Sequence, residues 1–378
     1  MSKALIHAKI YTGKDVIDDG YIIFSETIES LGDMKDFDHS AQLEMIDCEQ
    51  KLVIPGFIDI HGHGGYGIDT MDGDPDALVS LANHLLSEGI TTYFATTMTQ
   101  SDENIEKAII GARQAMEKSS LIAGIHLEGP FVSPEHKGAQ PEQYMAVGQA
   151  EKLRKWQELS GFNIRIIAYA PEMGDVSAFE DYANEAGIVL SVGHSGATYD
   201  CLEKSKATHV THLFNGQLGL HHREPGVTGY GLLEDDVMVE MIVDGHHIRP
   251  EMVKLAYKVK GASGIELITD AMRAKGMPEG ESELGGQKIM VKDGQARLES
   301  GALAGSTLKF IDGFRNMIAY TGCSIEEAVQ MSSGNQAREF HLTQKGALEE
   351  GKDADILILD QDLNLLKTIA KGDVHDFE

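Results

Sequence analysis

Eight short segments rich in β-branched and other apolar residues alternate with segments of helical period along the middle of the chain. The apolar segments are FIDIH (57–61), TTYFATT (91–97), IAGIHLE (122–128), IRIIAYA (164–170), IVLSVGH (188–194), HVTHLFN (209–215), VMVEMIVDG (237–245) and IELITDA (265–271). Between them, PDALVSLANHLLSEG, DENIEKAIIGARQAMEK and VSAFEDYANEAG have the spacing of amphipathic helices. Eight strands that alternate with helices favour an α/β fold, a closed (β/α)8 TIM-like barrel. An open doubly wound sheet is the alternative, but HGHGGYG stands where its phosphate-binding glycine motif is expected.

The two ends of the chain differ in pattern from the middle. Residues 1–53 and 345–378 contain short apolar runs broken by glycine and charged turns, which predicts one small β-sandwich domain built from both termini. The barrel domain is then expected to span residues 54–344. Within it we predict a hairpin insertion near residues 276–302 and a long irregular loop over the glycine-rich residues 216–236.

Charge and cysteine content limit the class of partner and compartment. The 378 residues include 32 basic and 60 acidic side chains, a formal net charge of −28, which argues against nucleic acid or an anionic membrane as a partner. No apolar run reaches the roughly 18 residues of a transmembrane helix, and the N-terminal residues lack the apolar core of a signal peptide. Cys48, Cys201 and Cys323 lie far apart, which is typical of a reducing compartment. We therefore expect a cytoplasmic protein.

Residue types that bind metals occur where the predicted strands end. The first strand ends in His61 and His63, the third in Glu128 and the fifth in His194, while the sixth carries His212. The carboxyl ends of barrel strands form one mouth, so these side chains are expected to converge. An HxH pair alone is weak evidence, whereas five imidazole and carboxylate groups in barrel order predict a divalent metal site.

Asp270 and Arg223 are further candidates. Asp270 closes the eighth strand, where a carboxylate could accept a proton from water and pass it to a leaving group. Arg223 follows His221 and His222 in the predicted loop, and this basic cluster suits a phosphate or carboxylate, although a solvated loop is the alternative. The remaining histidines considered receive structural or surface interpretations: His126, His209, His7, His39, His84, His341 and His375.

Longer motifs carry a family resemblance. PGFIDIHGHGGYGIDTMDG, IHLEGPF, VGHSGAT, THLFNGQ, REPGVTG, IVDGHHIRPE, LITDAM and LAGST follow one another over residues 55–307. In these motifs the chain resembles the amidohydrolase superfamily and, within it, the N-acetylglucosamine-6-phosphate deacetylases. The combination of IHLEGPF, GHSGAT and THLFN is far more specific than the HxH shared across the superfamily.

The resemblance implies hydrolysis of the 2-acetamido group of N-acetyl-D-glucosamine 6-phosphate, which gives D-glucosamine 6-phosphate and acetate. It implies that Asp270 acts as general base and then as general acid. One or two divalent metals per subunit are expected, with Zn²⁺ or Fe²⁺ foremost and Co²⁺ or Mn²⁺ also suited. The implied ligands are Glu128, His194 and His212 for the principal metal, and His61 and His63, with Glu128 between the two, for a second.

The resemblance also implies substrate contacts and a homodimer. In the family the Arg223 position reaches the phosphate in the neighbouring subunit. Gln140 stands where many relatives have histidine, and its amide can still donate a hydrogen bond. Two alternatives remain: an amidohydrolase that acts on another N-acyl or cyclic amide substrate, and a catalytically inactive barrel, which the full set of candidate ligands disfavours. The implied substrate contacts are Ala139, Asn215, Gly216, Arg223, His247, Leu303, Ala304 and Gly305.

Overall fold

A computed structural model describes residues 2–40 and 42–377, and its centre is a barrel of eight parallel strands. Each strand pairs with the next in chain order, so the predicted (β/α)8 barrel is confirmed. The first to eighth barrel strands are Phe57–Gly62, Ile90–Thr97, Ile122–Glu128, Ile164–Tyr169, Val189–Val192, His209–Val210, Met238–Ile242 and Ile265–Ile268.

The first and eighth strands meet through side chains as well as main chain. The buried Asp59 carboxylate accepts hydrogen bonds from Thr269 Oγ1 at 2.6 Å and from the Thr269 N–H at 3.3 Å. The Asp270 N–H donates to the carbonyl oxygen of His61 at 2.8 Å. Burial raises the pKa of Asp59 to about 6, against the lowering effect of Lys275 and the hydrogen bonds. This closure places the two strand ends side by side.

Helices surround the barrel, and the three predicted amphipathic segments are helical. Asp74 and Ser101 cap the first two helices, which begin at Pro75 and Asp102, by accepting hydrogen bonds from main-chain N–H groups. Within the described residues, no helix combines the length and the apolar character needed to cross a bilayer. The α-helices are Pro75–Leu85, Asp102–Met116, Ala150–Leu159, Ser177–Glu185, Tyr199–Leu202, Gly226–Leu233, Pro250–Lys260, Phe310–Thr321, Ile325–Val329 and Asn335–Glu339. Shorter helical turns are Met34–Asp36, Thr70–Asp72, Leu86–Glu88, Pro134–His136, Glu142–Tyr144, Pro171–Met173, Ala262–Gly264 and the π-helical Gln330–Gly334.

The prediction of an irregular loop over residues 216–236 is wrong for its second half, because Gly226–Leu233 is a helix. Seven of its eight residues are buried, so the segment has no polar face and no amphipathic period to identify it. Its glycines permit close packing, since a Cβ on Gly229 would lie 2.3 Å from the Cβ of Pro225. The helix follows the loop that carries Arg223.

Both ends of the chain contribute to one separate eight-stranded sheet, which confirms the predicted β domain built from both termini. Leu52–Pro55 pairs antiparallel with Ile356–Leu359 and thereby joins the two termini. Aliphatic side chains from both ends, including Leu5, Ile22 and Ile356, form one buried cluster. The domain boundaries at residues 53 and 345 stay a prediction. The strands of this sheet are Lys3–Tyr11, Val16–Phe24, Ile28–Asp33, Glu44–Asp47, Leu52–Pro55, Ile356–Leu359, Leu365–Ala370 and Asp373–Asp376.

The segment after the eighth barrel strand forms a three-stranded antiparallel sheet, where we predicted a hairpin. Its apolar face, with Leu284 and Ile289, packs against Met98 and Met272 of the barrel. This packing sets the insertion beside the mouth formed by the strand ends. The strands are Gly280–Leu284, Gln287–Lys292 and Gln295–Leu298, and a separate two-stranded ribbon joins Gly64–Gly65 to Ile68–Asp69.

Candidate active site

Three side chains at or just beyond the ends of the third, fifth and sixth strands face one another at the mouth. His194 Nε2 and His212 Nε2 lie 3.1 Å and 2.9 Å from the same Glu128 oxygen, Oε1, and 3.2 Å from each other. All three residues are buried. Ligand atoms about 2.0–2.1 Å from one ion lie roughly 3 Å apart, so the spacing and the donor types both suit a divalent metal.

A second group lies beside the first. His63 Nε2 is 3.1 Å from Glu128 Oε2 and 3.2 Å from Asp270 Oδ1, while His61 Nε2 is 3.7 Å from Glu128 Oε1 and from Asp270 Oδ1. His61 Nε2 is buried and has no hydrogen-bond partner among the described residues. Because buried polar atoms are normally paired, this free nitrogen between two carboxylates fits a cation. The structure thus brings all five sequence-predicted metal ligands and Asp270 together.

Left-handed backbone conformations occur at three of these positions. The φ angles are +47° at His194, +30° at His212 and +46° at Asp270. A non-glycine residue in this region costs on the order of 1–3 kcal/mol and persists when surrounding contacts hold it. At His194 one such contact is the 2.9 Å hydrogen bond between ring Nδ1 and the carbonyl oxygen of His136, which leaves Nε2 facing Glu128. These three backbone conformations direct the side chains of His194, His212 and Asp270 toward the shared centre.

The carboxylates control the charge of the histidines. Burial disfavours the charged form of His61, but Glu240, Asp270 and Glu128 outweigh it and raise its pKa to about 9. The pKa of His63 is likewise raised well above its ordinary value, against burial, by Asp270 and Glu128. Burial opposes ionisation of Glu128, yet the surrounding histidines hold its pKa well below its usual range. A metal that binds here therefore replaces protons on the histidines.

Gln140 supports the centre. Its buried amide donates from Nε2 to Glu128 Oε2 at 2.6 Å, and its Oε1 accepts from the Thr99 N–H at 2.9 Å. The sequence marked Gln140 as a departure from the family pattern. The structure shows that its amide holds one oxygen of Glu128 in place.

A cavity of about 330 Å³ opens above these groups. Ala304 is fully buried in the apolar cluster beside it, and its N–H donates to the carbonyl oxygen of Ala296 on the third insertion strand at 3.0 Å. Arg223 lies on the exposed loop, with Nη1 2.6 Å from His222 Nε2, and is not among the described residues that line the cavity. Contact with a substrate stays a prediction for all eight proposed positions. The six that line the cavity are Ala139, Asn215, Gly216, His247, Leu303 and Gly305.

Arg297 and Glu240 are among the residues of this site that sequence reasoning missed. Arg297, on the third insertion strand, lines the cavity, and no pattern in that short strand singles it out. Glu240 lies fully buried on the seventh barrel strand, within hydrogen-bond distance of His61 Nδ1 at 2.8 Å. An acidic residue inside the apolar run VMVEMIV is the signal that could have identified it, because a buried carboxylate needs partners.

The family model described as the amidohydrolase family matches residues 52–375. The chain belongs to the amidohydrolase family. This amidohydrolase is 43% identical over 343 residues to the N-acetylglucosamine-6-phosphate deacetylase of Lysinibacillus sphaericus, with 88% of each chain covered. It is 40% identical over 375 residues to the Bacillus subtilis (strain 168) protein of the same name, with 97% of this chain and 95% of that protein covered. The family expected from the motifs is thus confirmed.

The fold of this amidohydrolase is also similar to that of a solved structure. That structure is an aspartate-to-alanine mutant of the N-acetyl-D-glucosamine-6-phosphate deacetylase of Mycobacterium smegmatis, in complex with N-acetyl-D-glucosamine-6-phosphate. The two chains superpose with a TM-score of 0.93 at 30% sequence identity, and 99% of each chain is covered. The two proteins therefore share the barrel and the terminal sheet.

Proposed function

We propose that this amidohydrolase hydrolyses the acetamido group of N-acetyl-D-glucosamine 6-phosphate to give D-glucosamine 6-phosphate and acetate. The observation that carries the proposal is the convergence of Glu128, His194, His212 and Asp270 at the floor of one cavity. Relatives at 40% and 43% identity bear the name of this activity. An amide is a stable bond, and its hydrolysis needs an activated water, a polarised carbonyl and a proton for the leaving amine.

The donor set fits a divalent metal, and the residues divide into two positions that share Glu128. His194 and His212 would complete the principal position, and His61 and His63 the second. A bound divalent metal supplies a Lewis acid that polarises a carbonyl oxygen and lowers the pKa of water. Imidazole and carboxylate ligands suit Zn²⁺ and Fe²⁺ foremost, and also Co²⁺ and Mn²⁺.

Asp270 is the proposed proton-transfer residue. Burial opposes its ionisation, but His61 and His63 lower its pKa, so the carboxylate is ionised and competent as a base near neutral pH. It accepts the proton of the attacking water and then donates that proton to the departing amine nitrogen, so that the carbon–nitrogen bond breaks with a neutral amine as leaving group.

Sugar recognition is assigned to the cavity walls. His247 is held through Nδ1 by Asp244 Oδ2 at 2.7 Å, and Asp244 Oδ1 also accepts the His247 N–H at 2.8 Å. This arrangement leaves His247 Nε2 free to contact a sugar hydroxyl or phosphate oxygen. Because the cavity floor carries two carboxylates, the phosphate is expected at the rim, close to a basic group.

We propose Arg223 of the neighbouring subunit as that basic group, which makes the active form a homodimer. Arg223 is exposed on its loop, so a second subunit could meet it. A guanidinium is suited to bidentate phosphate binding. We also assign the protein to the cytoplasm, supported by three cysteines that are free of disulfides.

The test is acetate release from N-acetyl-D-glucosamine 6-phosphate by purified protein, before and after chelation, with metal content measured on the same sample. Activity that disappears with the metal and returns on its re-addition supports the activity and its metal dependence. N-acetyl-D-galactosamine 6-phosphate and unphosphorylated N-acetylglucosamine serve as matched substrates. Protein that holds its full metal and releases no acetate from the phosphorylated sugars would overturn the substrate assignment and favour another N-acyl or cyclic amide.

A further inference from the structure

Glu240 contacts two of the predicted metal ligands, His61 and His212, inside the barrel. It lies on the seventh strand, which supplies none of the five predicted ligands, and it is fully buried. Its Oε2 lies 2.8 Å from His61 Nδ1 and accepts the His212 N–H at 3.0 Å. Its other oxygen, Oε1, lies 3.4 Å from His209 Nε2. One oxygen atom therefore contacts residues of both proposed metal positions.

The contact with His61 determines which ring nitrogen faces the centre. An imidazole that donates from Nδ1 to a carboxylate keeps the lone pair of Nε2 free for a metal. His61 Nε2 indeed points to the gap between Glu128 Oε1 and Asp270 Oδ1, 3.7 Å from each. Without an acceptor at Nδ1, the ring could rotate or change tautomer.

The contact between Glu240 and His212 is a hydrogen bond to the main-chain N–H of His212. This residue has a φ of +30°, and its N–H would lie unpaired inside the barrel without Glu240. The ring of the same residue places Nε2 2.9 Å from Glu128 Oε1. The hydrogen bond to Glu240 thus helps to hold a strained backbone that aims a ligand.

We propose that Glu240 is a positioning residue that orients His61 and His212 for metal binding. The proposal rests on the metal site of the proposed function. Glu240 is not among the described residues that line the cavity, so its effect on the reaction passes through the two histidines. Losing such a supporting carboxylate weakens metal binding by about 10–100-fold in well-studied centres.

Glu266 offers a matched control within the same barrel. It lies directly opposite Glu240 on the eighth strand and is equally buried. Among the described residues it makes no hydrogen bond to a predicted metal ligand, and both of its oxygens lack a hydrogen-bond partner. Glu266→Met therefore removes a carboxyl group of the same volume, from the same depth of the barrel, as Glu240→Met without removing a contact to the site.

The experiment measures zinc affinity by competition with a chromophoric chelator, without substrate, for the wild type and for Glu240→Met, Glu240→Gln, Glu240→Asp, Glu266→Met and His61→Ala. We expect Glu240→Met and His61→Ala each to weaken zinc binding by about 10–100-fold, while Glu266→Met stays close to wild type. Glu240→Gln should bind zinc better than Glu240→Asp, because the amide oxygen reaches both donors whereas the shorter carboxylate does not.

Three results would overturn the proposal: wild-type affinity in Glu240→Met, an equal loss in Glu266→Met, or unchanged affinity in His61→Ala. If Glu240→Met does not fold, as judged by circular dichroism, the zinc affinities of Glu240→Gln and Glu240→Asp are compared instead. Affinity in Glu240→Gln no higher than in Glu240→Asp would then overturn the proposal. Wild-type protein that binds no zinc would overturn both this proposal and the proposed metal site. Protein that binds zinc normally but releases no acetate would remove the substrate assignment alone.

Discussion

His63 Nε2, at the end of the first barrel strand, lies 3.2 Å from Oδ1 of Asp270, which follows the eighth strand. The same nitrogen is 3.1 Å from Glu128 Oε2, at the end of the third strand. The first and eighth strands are the most distant of the eight along the chain and become neighbours where the barrel closes. Barrel closure therefore brings the proposed proton-transfer residue to the proposed metal ligands.

Asp270→Asn should retain bound metal and lower kcat for acetate release by about 10²–10⁴-fold, the usual contribution of a general acid–base group. The amide has a similar shape but cannot accept and return the proton. The measurement pairs steady-state kinetics with metal content on the same sample. A kcat near that of the wild type would contradict the proposed role of Asp270.

Arg223→Ala should raise KM for the phosphorylated sugar by about tenfold or more, because a charge-assisted hydrogen bond contributes about 1.5–3 kcal/mol. The KM for unphosphorylated N-acetylglucosamine should change little. Both KM values are measured by acetate release. Equal effects on the two substrates would remove Arg223 from phosphate recognition.

Mixing Arg223→Ala and Asp270→Asn subunits should restore activity that neither variant has alone at low substrate concentration. In the mixed dimer, one site keeps its own Asp270 and receives the intact Arg223 of the other subunit. The measurement is acetate release after dissociation and reassociation of the mixture. Activity no higher than the mean of the two variants would contradict recognition of phosphate across the dimer.

Metal affinity and the stability of the metal-free protein should change in opposite directions with pH. Carboxylates raise the pKa of His61 from 6.5 to about 9, against burial, so its protonated form stabilises the metal-free fold below pH 6.5. This contribution is lost as pH rises through 9. Metal binding requires the neutral imidazole, so affinity should rise over the same interval.

Denaturant unfolding in the presence of chelator and zinc competition at several pH values test this expectation. His61→Ala is the control, and it should reduce both pH dependences. Metal-free protein that becomes more stable between pH 6.5 and 9, with His61 intact, would contradict the assignment of the shift to this histidine.

Gln140→Ala should lower the free energy of unfolding by about 1–3 kcal/mol, because it leaves the buried Thr99 N–H without its partner and removes one of the contacts of Glu128 Oε2. The measurement is urea unfolding of the metal-free protein. Gln114→Ala, at an exposed helix position, should stay within about 0.5 kcal/mol of the wild type. Equal small effects in the two variants would mean that Gln140 does not support Glu128.

The helix Gly226–Leu233 and the buried Ala304 show where sequence patterns are insufficient. An amphipathic period appears when one face of a helix meets water, and this helix is buried on nearly every side. Ala304 belongs to a motif that resembles a substrate-binding stretch, yet its side chain packs into the apolar cluster under the insertion sheet. Which neighbour in a short motif faces the cavity depends on how the insertion packs.

The sequence by itself determined the eight barrel strands, the composite sheet of the two termini, the family and the set of candidate metal ligands. These follow from local periodicity and from motifs whose residues lie close together along the chain. Only the tertiary structure decided that Glu240 contacts His61 and His212 and that the Gln140 amide donates a hydrogen bond to Glu128. Such contacts join elements far apart in sequence, and their partners are fixed by barrel closure and loop packing, which leave no periodic pattern in the chain.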